Sequence, residues 1–171
     1  PPPPVTEAGL GGGPGGSAPL AETPDPEARG EGGGVAGVRV RRSGPVAEAD
    51  VVLATGMVEP HQYAGFSGGA KTVVIGAGGE PIIRYTHGPG MLSREGVRLG
   101  RVEGNPFRDA VDRAGDVAGP DVSLNVTTGP EGVLGVAAGD PRAVVRDLAA
   151  TARAALSVDV EGRYDAGQHR V

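Results

Sequence analysis

Val51-Val-Leu-Ala-Thr-Gly56 is a short apolar run, rich in β-branched side chains and closed by Thr-Gly. Such a run reads as a buried strand over Val51 to Ala54, ended by Thr55-Gly56. In layered α/β proteins the loops that carry chemistry come after the carboxyl ends of strands. Just past this strand lies Glu59-Pro-His-Gln-Tyr-Ala-Gly-Phe-Ser-Gly-Gly-Ala-Lys71, with His87 further on. Lys71 is the chain's only lysine, every other basic side chain being arginine. An amine, unlike a guanidinium, can lose its proton and form a covalent bond. Residues 59 to 87 are therefore where chemistry is expected.

On the N-terminal side of the strand, Val38-Arg-Val40 alternates as a short edge strand, and Pro45 to Asp50 reads as a turn or helical link. Thr72-Val-Val-Ile75 is apolar and fits strand or helix; Pro81 to His87 reads as a short helix started by its proline. Asn105-Pro106 supplies a cap and a proline for a helix whose face is Phe107, Ala110, Val111 and Ala114, with Gly115 as its stop. Asp140-Pro141 repeats the device ahead of Val144, Val145, Leu148, Ala149, Ala152 and Leu156. Between these helices, Val122 to Val126 and Val133 to Ala137 flank Thr128-Gly-Pro-Glu-Gly132 as a β-hairpin. The fold class is thus α/β, with mixed α+β layers.

Composition divides the 171 residues unevenly, with 32 glycines and 16 prolines in all. Pro1 to Gly34 has Val5, Leu10 and Leu20 as its only large apolar side chains, too few to offset the entropy of ordering, so 1–34 is expected to be disordered. The folded part is placed at 35–160, with 161–171 a polar tail. Net charge is −5 and the arginines are scattered without interleaved aromatics, which argues against nucleic acid as a partner. With no cysteine, disulfides, thiolate metal sites and cysteine nucleophiles are excluded. No apolar run is long enough to span a bilayer, and the N-terminus lacks the pattern of a signal peptide. A cytoplasmic protein, cut from a longer product because no Met begins it, is the expectation.

Each candidate residue has a plain reading beside its chemical one. Gly65, Gly68 and Gly69 permit positive φ and expose N–H groups, which suits an anion; in a glycine-rich chain, a structural turn is the more frequent meaning. The Gly-Lys-Ser/Thr order of a P-loop is absent. His61, in a loop after a strand, reads as a general base or as a hydrogen-bonded loop histidine. His87 reads as a ligand to nickel or zinc or as a turn histidine. One imidazole cannot hold a metal alone, so a ligand role requires donors from a cofactor.

Taken together, Glu59-Pro-His61, Ala64-Gly-Phe-Ser-Gly-Gly69, Lys71 and His87 resemble the nickel-pincer-dependent lactate racemase family, the LarA-like 2-hydroxyacid racemases and epimerases. Glu48-Ala-Asp50, Gly104-Asn-Pro106, Leu124-Asn-Val126 and Gly139-Asp140 agree, and the likeness runs from about Val38 to about Leu156. The resemblance implies a central part of the N-terminal domain of a two-domain enzyme. It implies that Lys71 tethers a nickel-pincer pyridinium mononucleotide, with Ser67, Gly68 and Gly69 beside the cofactor, and that His87 ligates nickel. It implies that His61 takes the proton of a 2-hydroxy acid's hydroxyl while hydride leaves C2 for the cofactor, inverting the centre on return. Cofactor-building and insertion proteins are the implied partners. The chain departs from the family in three respects. It has no histidine upstream of His61 for the second base, no recognisable upstream Asp/Arg segment, and no C-terminal domain.

Two other functions compete with that isomerase. One is an inactive cofactor- or nucleotide-binding module that lacks the second base and the C-terminal domain. The other is a Schiff-base enzyme using Lys71 directly on a carbonyl. His169 is assigned nothing.

Overall fold

The computed structural model describes residues 20–22, 37–38 and 40–159. Leu20–Glu22 (β1) pairs antiparallel with Arg41–Ser43 (β2), Leu20 opposite Ser43 and Glu22 opposite Arg41. Two expectations change here. Residues 20–22, read as disordered, form a strand, because pairing satisfies backbone groups whatever the side chains are. The edge strand placed at Val38 to Val40 lies instead at Arg41–Ser43. The rest of the 1–34 segment, Arg39 and the tail beyond Asp159 lie outside the described residues.

Gly44–Glu48 (α1) comes next, with a proline in its first turn. Leu53–Met57 (β3) runs through Thr55-Gly56 rather than stopping there. Pro60–His61 (β4) and Gly65–Phe66 (β5) make a small hairpin, His61 opposite Gly65, where a plain loop was expected. Lys71–Val74 (α2) resolves the apolar run after the lysine as helix. Glu80–His87 (α3) matches its expected span, and Pro89–Leu92 (α4) adds a turn not read from sequence. Pro106–Ala118 (α5) and Pro141–Leu156 (α6) begin at the expected caps: the side chains of Asn105 and Asp140 each accept from two backbone N–H groups of the first turn. Val122–Gly129 (β6) and Gly132–Gly139 (β7) form the hairpin, longer than read, with a two-residue connection and a register irregularity at Thr127/Thr128.

Gly115 does not end α5, which continues to Ala118 with Gly119 as its cap. A Cβ at Gly115 would lie 2.5 Å from that of Ala70. The glycine is there so that α2 can approach α5 closely, a tertiary need that outweighs its poor helix propensity.

The central sheet has the order β3-β6-β7, with β3 parallel and β7 antiparallel to β6. Helix α6 packs across β6 and β7. Beneath it the sheet buries Ser123, Asn125 and Thr127, while Leu53, Leu124 and Val136 point the other way and are 55%, 40% and 60% exposed. That inverts the usual apolar-in alternation. Apolar packing sits elsewhere, in two clusters. One gathers α2, α3, α4 and α5 around Val74, Ile82, Met91, Phe107, Val111 and Ala114. The other joins Val58, Phe66 and Val102 to Val144, Val145 and Leu148 of α6. No helix among the described residues is long and apolar enough to cross a membrane.

Gly115→Ala tests the packing of α2 on α5. In an exposed helix this change stabilises by about 1 kcal/mol; here the added methyl meets Ala70, and overpacking of about 1–3 kcal/mol outweighs the gain. Urea unfolding is expected to show a lower midpoint, and a raised one would show that the two helices do not touch.

Candidate active site

The site is built around the first turn of α5. Asn105 is fully buried and uses its side chain in both directions. Its Oδ1 accepts from the N–H groups of Phe107 (2.9 Å) and Arg108 (3.3 Å), and its Nδ2 donates to the carbonyls of Tyr63 (2.8 Å) and Arg101 (3.0 Å). Arg108, one residue past Phe107, donates from Nε to the carbonyl of Ala64 (3.4 Å) and from Nη2 to that of Phe66. The hairpin carrying His61 is thus held from its carbonyl side by α5.

Phe107 lies among three rings: its centroid is 5.0 Å from that of His87, 6.2 Å from His61 and 6.3 Å from Tyr63. Both histidines therefore line one neighbourhood. Lys71 joins it at the start of α2: His61 feels the charges of both Lys71 and His87. The three residues singled out from sequence are brought together.

Their protonation differs in a useful way. His61 Nδ1 accepts from the backbone N–H groups of Tyr63 (3.2 Å) and Ala64 (3.1 Å). A neutral imidazole has one donor and one acceptor nitrogen, so His61 carries its proton on Nε2. His87 is the reverse. Its Nδ1 lies 3.2 Å from the carbonyl of Ile83, which can only accept, so a neutral ring hydrogen-bonded there donates from Nδ1 and keeps its lone pair on Nε2. A hydrogen bond of this kind is what orients a metal-ligating histidine. Thr86, fully buried, donates to the carbonyl of Ile82 (2.8 Å) and stands 3.0 Å from the same Nδ1.

Burial first, then the charges of Lys71, Arg108 and His87, lowers the pKa of His61 from 6.5 to about 4. Burial, then Arg108, holds the Lys71 amine below the ordinary lysine range. Both groups are shifted towards their neutral, nucleophilic forms.

The glycine-rich turn is committed to the protein itself. Gly65, Gly68 and Gly69 have φ of 75°, 81° and 61°. A Cβ at Gly68 would strike Val58, and one at Gly69 would strike Pro141 and Val145. The N–H of Gly69 donates to Asn125 Oδ1 (3.2 Å). The hydroxyl of Ser67 donates to the carbonyl of Met57 (2.7 Å) and accepts from the N–H of Glu59 (2.9 Å). In this conformation neither Ser67 Oγ nor the Gly69 N–H is offered to a ligand. The turn's visible task is to seat Lys71 against β3, β6 and α6.

Sequence reasoning passed over Arg108 and over the reach of Asn105 beyond its own helix. A signal existed for the first: Arg108, Val111 and Gly115 share a helical stripe, so the arginine flanks the packed face. Among the described residues no group of three or more His, Cys, Asp or Glu side chains gathers to hold a metal ion. A cavity of about 410 Å³ lies between α5 and the start of α6, lined by Asp112, Asp116, Asp140 and Arg142 among others, and includes neither histidine nor Lys71.

An α/β domain that presents one half-buried lysine beside two histidines is the class that fold and site define. Comparison with known proteins narrows it. Residues 32–100 match the family model for the lactate racemase N-terminal domain. The chain is 38% identical over 65 residues to the lactate racemase of Thermoanaerobacterium thermosaccharolyticum, covering 37% of this chain and 15% of that protein. It is 31% identical over 98 residues to the lactate racemase of Lactiplantibacillus plantarum, covering 57% and 23%. Among solved structures, the lactate racemase apoprotein from Thermoanaerobacterium thermosaccharolyticum superposes with a TM-score of 0.63 at 27% identity, over 67% of this chain and 28% of that one. A protein from Thermotoga maritima shares the fold with a TM-score of 0.53 at 21% identity, over 67% and 29%. The resemblance to lactate racemases read from the sequence is borne out, as is the mixed α/β fold. The chain spans less than a third of the length of each of these relatives.

The depressed pKa of His61 carries a stability consequence. Between pH 6.5 and about 4 the unfolded chain protonates this ring while the folded chain keeps it neutral. The unfolded state then binds more protons, so stability present above pH 6.5 is lost as pH falls through that window. His61→Gln is expected to flatten the fall in urea midpoint between pH 6.5 and 4; an unchanged slope would show that the ring is not shielded.

Proposed function

We propose that this chain is the lysine- and histidine-bearing part of a lactate racemase-like isomerase acting on 2-hydroxy acids. The observation that carries the reading is that both imidazoles are held through Nδ1, His61 by two backbone N–H groups and His87 by the Ile83 carbonyl. This leaves both Nε2 atoms free of protein partners among the described residues, with Lys71 in the same neighbourhood. On those partners a neutral His87 keeps its lone pair on Nε2 and a neutral His61 its proton there. The residues fit a nickel-pincer pyridinium mononucleotide. Lys71 would tether it through an amine held towards its neutral form, and the Nε2 of His87 would be the single protein donor to nickel, an imidazole being suited to that ion. When bound, such a group supplies an electrophilic ring that accepts hydride from C2 of the substrate.

The chain's own part is binding, orientation and proton handling. His61 Nε2–H can donate to the hydroxyl or keto oxygen of a 2-hydroxy or 2-keto acid. To take the hydroxyl proton at that nitrogen, the ring must exchange tautomers and give up the two backbone bonds at Nδ1. Those bonds are weakly placed at 3.1–3.2 Å, and the low pKa means that a proton once taken is readily returned. Phe107 and Tyr63 set their rings against His61, Phe107 from the core and Tyr63 from the hairpin itself.

A second reading, a module that holds cofactor without turning over, is favoured by one observation. Among the described residues, once His87 is given to nickel, His61 is the remaining histidine, and inversion by two opposed bases needs another. Cofactor-building proteins are the partners either reading requires.

Co-expression with cofactor-building enzymes separates these readings. Intact mass is expected to show an adduct that vanishes in Lys71→Ala. Nickel content is expected to fall in His87→Ala and to survive His61→Ala. Racemisation of L-lactate is expected to drop at least about 10²-fold in all three. Adduct and nickel without turnover in the unmutated chain would select the binding module. Borohydride trapping of a keto acid on Lys71 in cofactor-free protein would select a Schiff-base enzyme instead.

A further inference from the structure

Arg108 is the buried charge that no part of the proposed chemistry uses. It is 1% exposed, and two of its nitrogens donate to the carbonyls of Ala64 and Phe66. The third, Nη1, is buried without a hydrogen-bond partner and lies 3.7 Å from Asp112 Oδ1 one turn along α5. Burying an ionised group costs several kcal/mol unless it is fully paired. Holding two carbonyls would need only a neutral donor. A permanent cation, incompletely neutralised, is an expensive choice for a clamp alone.

We propose that Arg108 is a positioning residue for Lys71, fixing the hairpin that leads into the amine and placing a permanent buried cation in its surroundings. The inference deepens the reading of Lys71 as the tethering amine and rests on it. Helix α2, which opens with Lys71, packs on α5, which carries Arg108, and Ala70 sits against Gly115 two turns along the same stripe. A guanidinium stays protonated where an ammonium does not, so of the two bases Lys71 is the one that yields. The charged and titratable side chains that bear on the site are Arg108 of α5, His61 of β4 and, through His61, His87 of α3. Asp112 bears on Arg108, and Arg142 and Arg146 of α6 bear on Asp112. Asp112 is shared with Arg142 at 3.4 Å, which leaves Arg108 less than fully compensated. The depression of the Lys71 pKa by burial and then by Arg108 agrees with this arrangement.

Because Lys71 is the only lysine, its acylation by limiting acetic anhydride, read by peptide mapping against pH, reports this amine without confusion with another side chain. In Arg108→Met the labelling profile is expected to move to higher pH, with the rate at pH 8 falling about tenfold for each unit of that shift. In Asp112→Asn the profile is expected to move the opposite way, since the cation loses its counter-charge. Asp116→Asn, which alters a carboxylate paired with Arg142 and not with Arg108, is expected to leave it in place. A loss of packing alone would not produce shifts of opposite sign. A folded Arg108→Met with an unmoved profile overturns the proposal. Should that variant fail to fold by circular dichroism, Asp112→Asn decides, and no downward shift relative to Asp116→Asn overturns it equally. The labelling needs no cofactor. Opposite shifts without a cofactor adduct would uphold Arg108 and sink the racemase reading, and the converse would do the reverse.

Discussion

A helix N-terminus that is also a clamp is the constraint on which the rest of the site depends. Four orphan N–H groups open any helix, and a capping side chain satisfies some of them. Asn105 does this with its oxygen, and its amide nitrogen, pointing away from the helix, takes the carbonyls of Tyr63 and Arg101. An aspartate would cap as well but could not donate. All four of the side chain's bonds stay within the fold, so one residue fixes the start of α5, the end of the loop before it and the hairpin that carries His61. Phe107, two residues on, packs its ring against both imidazoles. The positions of both imidazoles are therefore a consequence of where α5 begins.

The fold was legible wherever a local signal coincided with a tertiary one. Caps at Asn105 and Asp140 marked both long helices because capping is satisfied within a few residues. The stripe from Val144 to Ala152 found α6 because the same side chains pack in the core. Failures came where distant contacts decide. Gly115 looks like a terminator and is a contact point for Ala70. Thr55-Gly56 looks like a strand end, yet β3 continues through it because β6 offers a parallel partner and Asn125 lies 3.4 Å from where a Gly56 Cβ would be. The sheet's inverted face was not visible at all: alternation shows which residues share a face, not which face a helix covers.

For the site, the sequence carried identity but not role. The solitary lysine and the two histidines were conspicuous, and the structure gathers them. Which nitrogen of each ring bears its proton is decided only by backbone groups that curl back within two to four residues, at Tyr63 and Ala64 for one ring and Ile83 for the other. The glycines are a different case. Their positive φ was readable, and of the two meanings it carried, structural turn and anion cradle, the inward Gly69 N–H on Asn125 agrees with the turn. Close approach of backbone to backbone and of backbone to ligand demand the same residue, and only the surroundings distinguish them.

The uncovered apolar face bears on how this unit works. Sheets with parallel strands ordinarily carry cover on both sides, and this one presents Leu53, Leu124, Val133 and Val136 to solvent while burying Ser123, Asn125 and Thr127. The buried polar row is not idle. Asn125 reaches from it to Gly69, so the strand that leaves its apolar side open uses its polar side to hold the turn before Lys71. Had β6 faced its valines and leucine towards α6, packing would improve and that hydrogen bond would be lost. The inverted register therefore trades core for control of the loop that leads into Lys71.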